Sequence, residues 1–196
     1  MRVSTARVLK WSLAVIVTAA ASGCVSHSEK TLKLVNHPYD STGVIVTPIH
    51  HMGGDFSAER IYVNGFSYGD AGRGGGGGSR MCCIMLPSKW RPGLVAKVSW
   101  TVLDWRTENV EETKKGIHKS LIVDSAYEAE VPVEYYATPE TLYVHIFAAG
   151  RVRVVSSIYG PQHERHPVAQ DDNGERFATA AVRVRKQDDG QHWSGW

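Results

Sequence analysis

Between Val95 and Leu103 polar and apolar residues alternate. Val98, Trp100 and Val102 fall on one side of an extended chain, and Lys97, Ser99 and Thr101 on the other. Successive side chains of a strand point to opposite faces, so the pattern predicts a strand with one face on a core and one in water. Thr141 to Phe147 repeats it, with Leu142, Val144 and Ile146 on the buried side. His145 then lies on the opposite face, where an exposed or partly covered position is expected. Shorter apolar pairs mark further strands: Val44 and Val46, Ile61 and Val63, Leu121 and Val123, Val152 and Val154. Turn signals separate them at Gly53-Gly54, Asn64-Gly65, Pro92-Gly93, Gly150 and Gly160-Pro161. Helical periodicity is hard to find. The expected fold is all-β, a β-sandwich or irregular barrel of about seven to nine short strands with long loops.

Two segments depart from the alternation. Asp104 to Gly116 carries Glu108, Glu111, Glu112, Lys114 and Lys115, and reads as a solvated loop or hairpin excursion, with a short helical turn as the alternative. After Gly160 the chain turns polar. Val182 and Val184 alternate there with Arg183 and Arg185, which allows a late edge strand, and Gln187 to Trp196 reads as loosely ordered. The β domain is therefore drawn over residues 31–162, with a polar extension over 163–196.

The first residues place the chain in a compartment. Arg2, Arg7 and Lys10 make a positive start, and Trp11 to Ala21 is apolar but too short to span a membrane. Ala21, Ser22 and Gly23 then precede Cys24. The segment resembles a bacterial lipoprotein signal with ASGC as its lipobox, although Ala21 stands where Leu is commoner. The plain alternative is an ordinary secreted protein with a chance cysteine. The resemblance implies a signal over residues 1–23, lipidation of Cys24 and a tether over residues 24–30. It also implies a periplasmic protein fixed to the membrane by several acyl chains, since one alone binds only marginally. No Asp follows Cys24, which favours the outer membrane. Removing residues 1–23 takes away three positive charges and no negative ones, so the formal +2 becomes −1. That balance gives no reason to expect a nucleic-acid partner. The remaining 196 − 23 = 173 residues can bury a core without disulfide staples.

Candidate chemistry is sparse. Gly65-Phe66-Ser67-Tyr68-Gly69 fits G-x-S-x-G, the serine-hydrolase elbow, with Asp124 and His145 following in the usual chain order. The elbow needs a helix after its Ser, and glycine-rich Asp70 to Ser79 is a poor helix former. A hairpin starting at Asn64-Gly65 is the simpler reading. Gly72, Gly74 and Gly77 match G-x-G-x-x-G, but no helix follows and no Lys follows the last glycine, so both phosphate-loop readings are rejected and no cofactor is expected.

Cys82 and Cys83 lie in Met81 to Leu86, a run apolar on both faces that suits a strand covered on both sides. Adjacent Cα atoms about 3.8 Å apart fall below the usual disulfide range of about 4.4–6.8 Å. Buried thiols are therefore preferred over a vicinal disulfide, which stays open. Nine histidines raise the question of a metal. His50 and His51 face opposite ways in a strand, and His163 to His166 lies between Pro161 and Pro167, off any helix. A four-ligand structural zinc site is not legible, so these read as surface or turn residues.

The order Val63-Asn64-Gly65, glycine run, Cys82-Cys83, Leu86-Pro87, Lys89-Trp90-Arg91-Pro92-Gly93-Leu94 and Val98-Ser99-Trp100, with Gly160-Pro161-Gln162-His163 later, carries a resemblance. It resembles a family of small bacterial lipoproteins that hold a domain of unknown function and are encoded beside type VI secretion phospholipase effectors. Family members are regarded as periplasmic immunity proteins for those effectors. The resemblance covers roughly Thr31 to Pro167 and brings no catalytic residues. It implies a non-enzymatic binding protein whose partner is a secreted phospholipase. Interface anchors are often aromatic or Arg, so Trp90 and Arg91 are candidates, beside Glu108, Glu111, Glu112, His163 and Arg165. A structural or assembly-related envelope lipoprotein is the second reading, and a serine hydrolase using Ser67 the third.

Overall fold

A computed structural model describes residues 40–75, 80–117 and 121–185. The signal over residues 1–23, Cys24, the tether over 24–30, the end of the glycine run (76–79) and the tail after 185 lie outside the described residues.

The strands form two five-stranded sheets. Sheet A has the order β4 (Met81–Pro87), β1 (Ser41–His50), β7 (Thr141–Phe147), β8 (Arg151–Ser157), β9 (Thr179–Ala180). Sheet B has the order β10 (Val182–Arg185), β6 (Ile122–Pro132), β5 (Val95–Asp104), β2 (Phe56–Val63), β3 (Phe66–Ser67). All pairings among these strands are antiparallel except β1 with β7. The sheets do not close into a barrel; the fold is an all-β sandwich.

The alternation seen in the sequence builds the core. Val98, Trp100 and Val102 of β5, Tyr127, Ala129 and Val131 of β6, and Ile61 and Val63 of β2 face Val44 and Val46 of β1, Leu142, Val144 and Ile146 of β7, and Val152 and Val154 of β8. These apolar faces leave water together, which at roughly 25 cal/mol per Å² is the main driving force for the fold. Trp100 and Tyr127 stack with ring centroids 5.3 Å apart. On the outer face of sheet B, Lys97 pairs with Glu128 of β6.

Loops follow local chemistry. Asn64 and Gly65 both take positive φ, 51° and 84°, and join β2 to β3 as a two-residue hairpin. This turn matches the right-handed strand twist, and Asn-Gly suits its left-handed positions. The acidic segment after β5 holds a 3-10 turn, Trp105–Thr107, and one turn of helix, α1 (Val110–Thr113). Asp104 caps the first by accepting from the Arg106 N–H, and Asn109 caps the second by accepting from the Glu111 and Glu112 N–H groups.

The polar stretch after Gly160 is part of the sandwich. Residues 159–178 run over the outer face of sheet A, where Val168 packs with Ile49, Tyr143, Phe147 and Val155. The chain then pairs with β8 through β9 and with β6 through β10, crossing between the sheets at Ala181, whose N–H donates to the Gly150 carbonyl at 2.8 Å.

Candidate functional site

Two places draw chemistry-bearing side chains together. The first is the outer face of sheet A. The parallel register sets Ile49 opposite His145 and His50 opposite Ile146. Period two then sends His50 toward the sandwich interior and His51, just past the strand, to the outer face beside His145. The His51 N–H donates to the Ile146 carbonyl at 2.8 Å and continues the ladder.

There His51, His145 and His166 form a hydrogen-bonded chain. His51 Nε2 lies 2.9 Å from His145 Nδ1, and His145 Nε2 lies 3.0 Å from His166 Nε2. Backbone carbonyls close both ends: Tyr159 O is 2.8 Å from His166 Nδ1 and Gln170 O is 3.3 Å from His51 Nδ1. His51 stacks on Phe147 at 4.6 Å, and Tyr143 meets the His166 ring edge-on at 4.8 Å. Burial pushes all three imidazoles below the usual histidine range, His145 furthest. His50 is separate: its Nε2–H donates to the Gly72 carbonyl at 2.7 Å and its Nδ1 accepts from the Met52 N–H at 3.2 Å, which suits a neutral ring.

A cavity of about 220 Å³ opens beside this chain, lined by His50, His51, His145, Gly75, Gln162 and Gln170 among others. Arg153 sits directly across from His145 on β8. Its buried guanidinium grips Glu134 with two nitrogens, at 2.8 and 3.2 Å, and Asp172 with the third, at 2.7 Å. Asp172 belongs to the segment covering the sheet, so this ion cluster fastens that cover.

The second place is the free edge of sheet A. Among the described residues β4 is an edge strand, and Met81, Cys82, Cys83 and Met85 are exposed along it while Ile84, Leu86 and Pro87 are buried. Cys82 and Cys83 are bonded to each other as a vicinal disulfide across a cis peptide bond, with Cα atoms 3.0 Å apart. The expectation of buried thiols in a strand covered on both sides is corrected: among the described residues β4 has one neighbour, β1, and Met81, Cys82, Cys83 and Met85 are exposed. An apolar run on both faces does not tell a covered strand from an edge whose outer face is left bare.

Beyond β4, Trp90 is half-buried; its Nε1–H donates to the Val133 carbonyl at 2.9 Å and its ring meets exposed Tyr135 edge-on at 5.6 Å. Arg91 next to it is exposed.

The other candidate residues scatter. Glu108 is taken up by Arg73 at 2.9 Å, Glu111 pairs with Lys114 across α1, and Glu112 is half-buried. His163 and Arg165 are exposed and pack on Tyr159, stacked and cation–π respectively. Ser67 is exposed on β3 at the edge of sheet B, Asp124 is on β6, and His145 is on the outer face of the other sheet. The G-x-S-x-G stretch is a hairpin and not a strand-to-helix elbow.

His145 is corrected as well. It does lie opposite Leu142, Val144 and Ile146, but it is only 1% exposed. His50 and His166 are buried too, at 3% and 6% exposed, so the reading of them as surface residues fails for both, although His166 does lie in a turn, its N–H donating to the His163 carbonyl at 2.8 Å. The missed signal was in β7: Tyr143 and Phe147 flank His145 on the supposed outer face, making that face too apolar to be left in water. The cover was the polar stretch bounded by Pro161 and Pro167, which carries few apolar residues to announce it.

Among the described residues, fold and surface define an all-β sandwich with one covered outer face, one edge strand with exposed apolar side chains and a buried imidazole chain. The family follows from the sequence match. Residues 55–154, just over half of the chain, match the family described as protein of unknown function (DUF3304), and the chain belongs to it. No curated protein and no solved structure matches the chain.

Proposed function

We propose that the protein is a lipid-anchored periplasmic immunity protein, held at the outer membrane through Cys24, that binds and occludes a type VI secretion phospholipase. The observation that carries the reading is where the residues of the family resemblance fall. Of the residues that carry the resemblance, Val63, Leu86, Pro87, Leu94, Val98 and Trp100 are buried, while Cys82, Cys83, Lys89 and Arg91 are exposed along β4 and the turn after it. The buried members serve the fold, and the exposed ones are left for a partner. A bare strand edge with exposed methionines is a surface that another chain can cover, by backbone pairing and by adaptable apolar contact. Anchoring beside the membrane puts such a surface where the hydrolase would act.

The test has two parts. The reading requires a large hydrolase gene beside this one. That hydrolase, directed to the periplasm, should kill cells that lack the protein and spare cells that make it; equal toxicity in both cultures would sink the proposal. Within it, Met85→Arg places a charge on the edge strand and should weaken binding about tenfold, the size of one good interface contact. Unchanged affinity by calorimetry would move the interface elsewhere.

A further inference from the structure

We propose that His51, His145 and His166 form a one-proton site: on mild acidification the three imidazoles together take up a single proton, and that proton ties the cover at Gln170 to sheet A. The inference is independent of the phospholipase reading and starts from counting hydrogens. The chain has four contacts: His51 to Gln170 O, His51 to His145, His145 to His166, and His166 to Tyr159 O. Both ends are carbonyl oxygens, which only accept. Three neutral imidazoles carry one N–H each, so one contact of the four lacks a hydrogen.

Counting alone does not place the gap, and the distances put it at Gln170 O, which is 3.3 Å from His51 Nδ1 where Tyr159 O is 2.8 Å from His166 Nδ1. His166 Nδ1–H donates to Tyr159 O, so His166 Nε2 accepts from His145 Nε2–H, and His145 Nδ1 accepts from His51 Nε2–H. His51 Nδ1 is then a bare lone pair facing Gln170 O. That contact is the longest of the four, at 3.3 Å, and His51 is the half-exposed member, whereas His145, which also lines the cavity, is buried. One proton at His51 Nδ1 completes all four contacts. A second would set N–H against N–H inside the chain and break one of them.

The surroundings accept one positive charge. Arg153 faces His145 across the ladder, and with Glu134 and Asp172 its cluster carries a formal net −1. Asp172 favours charge on His51, while Arg153 and the burial of all three rings oppose it; the neighbouring His50 is neutral, and Tyr143 against His166 adds no charge. The charge therefore belongs on His51 and not on buried His145.

The stability sign differs from the local effect. As pH falls through about 6.5 an unfolded chain protonates all three rings, while the folded chain takes up one and only at lower pH, so overall stability falls with acid while the Gln170 contact tightens.

The experiment is an NMR titration of the intact, isotope-labelled protein from about pH 8 to about pH 5. Side-chain nitrogen shifts of the three imidazoles should sum to the uptake of one proton. The Gln170 carbonyl carbon should shift with the same midpoint, and the Tyr159 carbonyl, already bonded, should move little. His51→Gln should abolish the cluster's uptake, because two neutral rings satisfy the two contacts that remain. Independent protonation of two or three rings, no uptake while the protein stays folded, a stationary Gln170 carbonyl, or undiminished uptake in His51→Gln would each overturn the proposal.

Discussion

The outer faces of the two sheets obey the same period-two rule and end differently. On sheet B, the outward residues of β5 and β6 include Lys97, Ser99, Glu128 and Glu130, and solvent satisfies them. On sheet A, the outward residues of β7 and β8 include Tyr143, His145, Phe147, Arg153 and Val155, and all five are buried under residues 159–178. A strand's polar face marks a boundary with water only when its residues keep their polar ends free. Aromatic rings, an imidazole and a buried Arg on one face instead announce a second layer, since each brings apolar area that water would leave exposed.

The largest test of this contrast replaces one cation on each face. Arg153→Ala removes the partner of Glu134 and Asp172 and unfastens the cover. We expect a loss of about 3 kcal/mol, at the low end for a broken buried pair because both carboxylates keep some contact with water. Lys97→Ala, whose pair with Glu128 is solvated, should leave the urea midpoint unchanged within error. Equal effects would mean that the two faces are energetically alike.

Gly174 offers the next test. It has φ +73°, and a Cβ there would stand 2.6 Å from Phe147 Cγ. Gly174→Ala should cost about 2–3 kcal/mol, from forced repacking of Phe147 plus the left-handed backbone. Gly93 has a similar φ of +81° with nothing within 4 Å of the added carbon, so Gly93→Ala should cost only the backbone part, about 1 kcal/mol. Thermal melts of the two variants separate cover packing from turn strain.

Most of the sandwich was legible because its core strands alternate plainly: β5, β7, β2 and β8 all stand where Val98, Val144, Ile61 and Val152 put them. The Asn64-Gly65 hairpin was legible from two residues whose backbone preferences select it. What escaped was tertiary. Which strand takes the edge of a sheet depends on pairing partners far along the chain, so Met81 to Leu86 carried no sign that β4 has a single neighbour among the described residues. The imidazole chain joins His51, His145 and His166 from three distant segments, and only the β1–β7 register brings the first two together.

The smallest effect tests an exception on sheet B. Glu59 shares the outer face of β2 and β5 with Thr101, yet it is only 9% exposed. Burial pushes its carboxyl up to about 7, aided by Asp70 and opposed by a hydrogen bond from Ser57. In the folded chain it therefore keeps its proton where an unfolded Glu, near 4.5, has lost it. The folded state binds the extra proton between those values, so this residue makes stability fall as pH rises from 4.5 to about 7. Glu59→Gln mimics the protonated group and removes the slope. Near pH 4 the variant and the parent should unfold at the same urea concentration; near pH 8 the variant should be more stable, on the order of 1 kcal/mol, a figure reduced for the carboxyl's partial contact with solvent. A parent whose stability is flat across this range would show that the carboxyl is solvated like its neighbours, and that the bare face of sheet B has no covered position there.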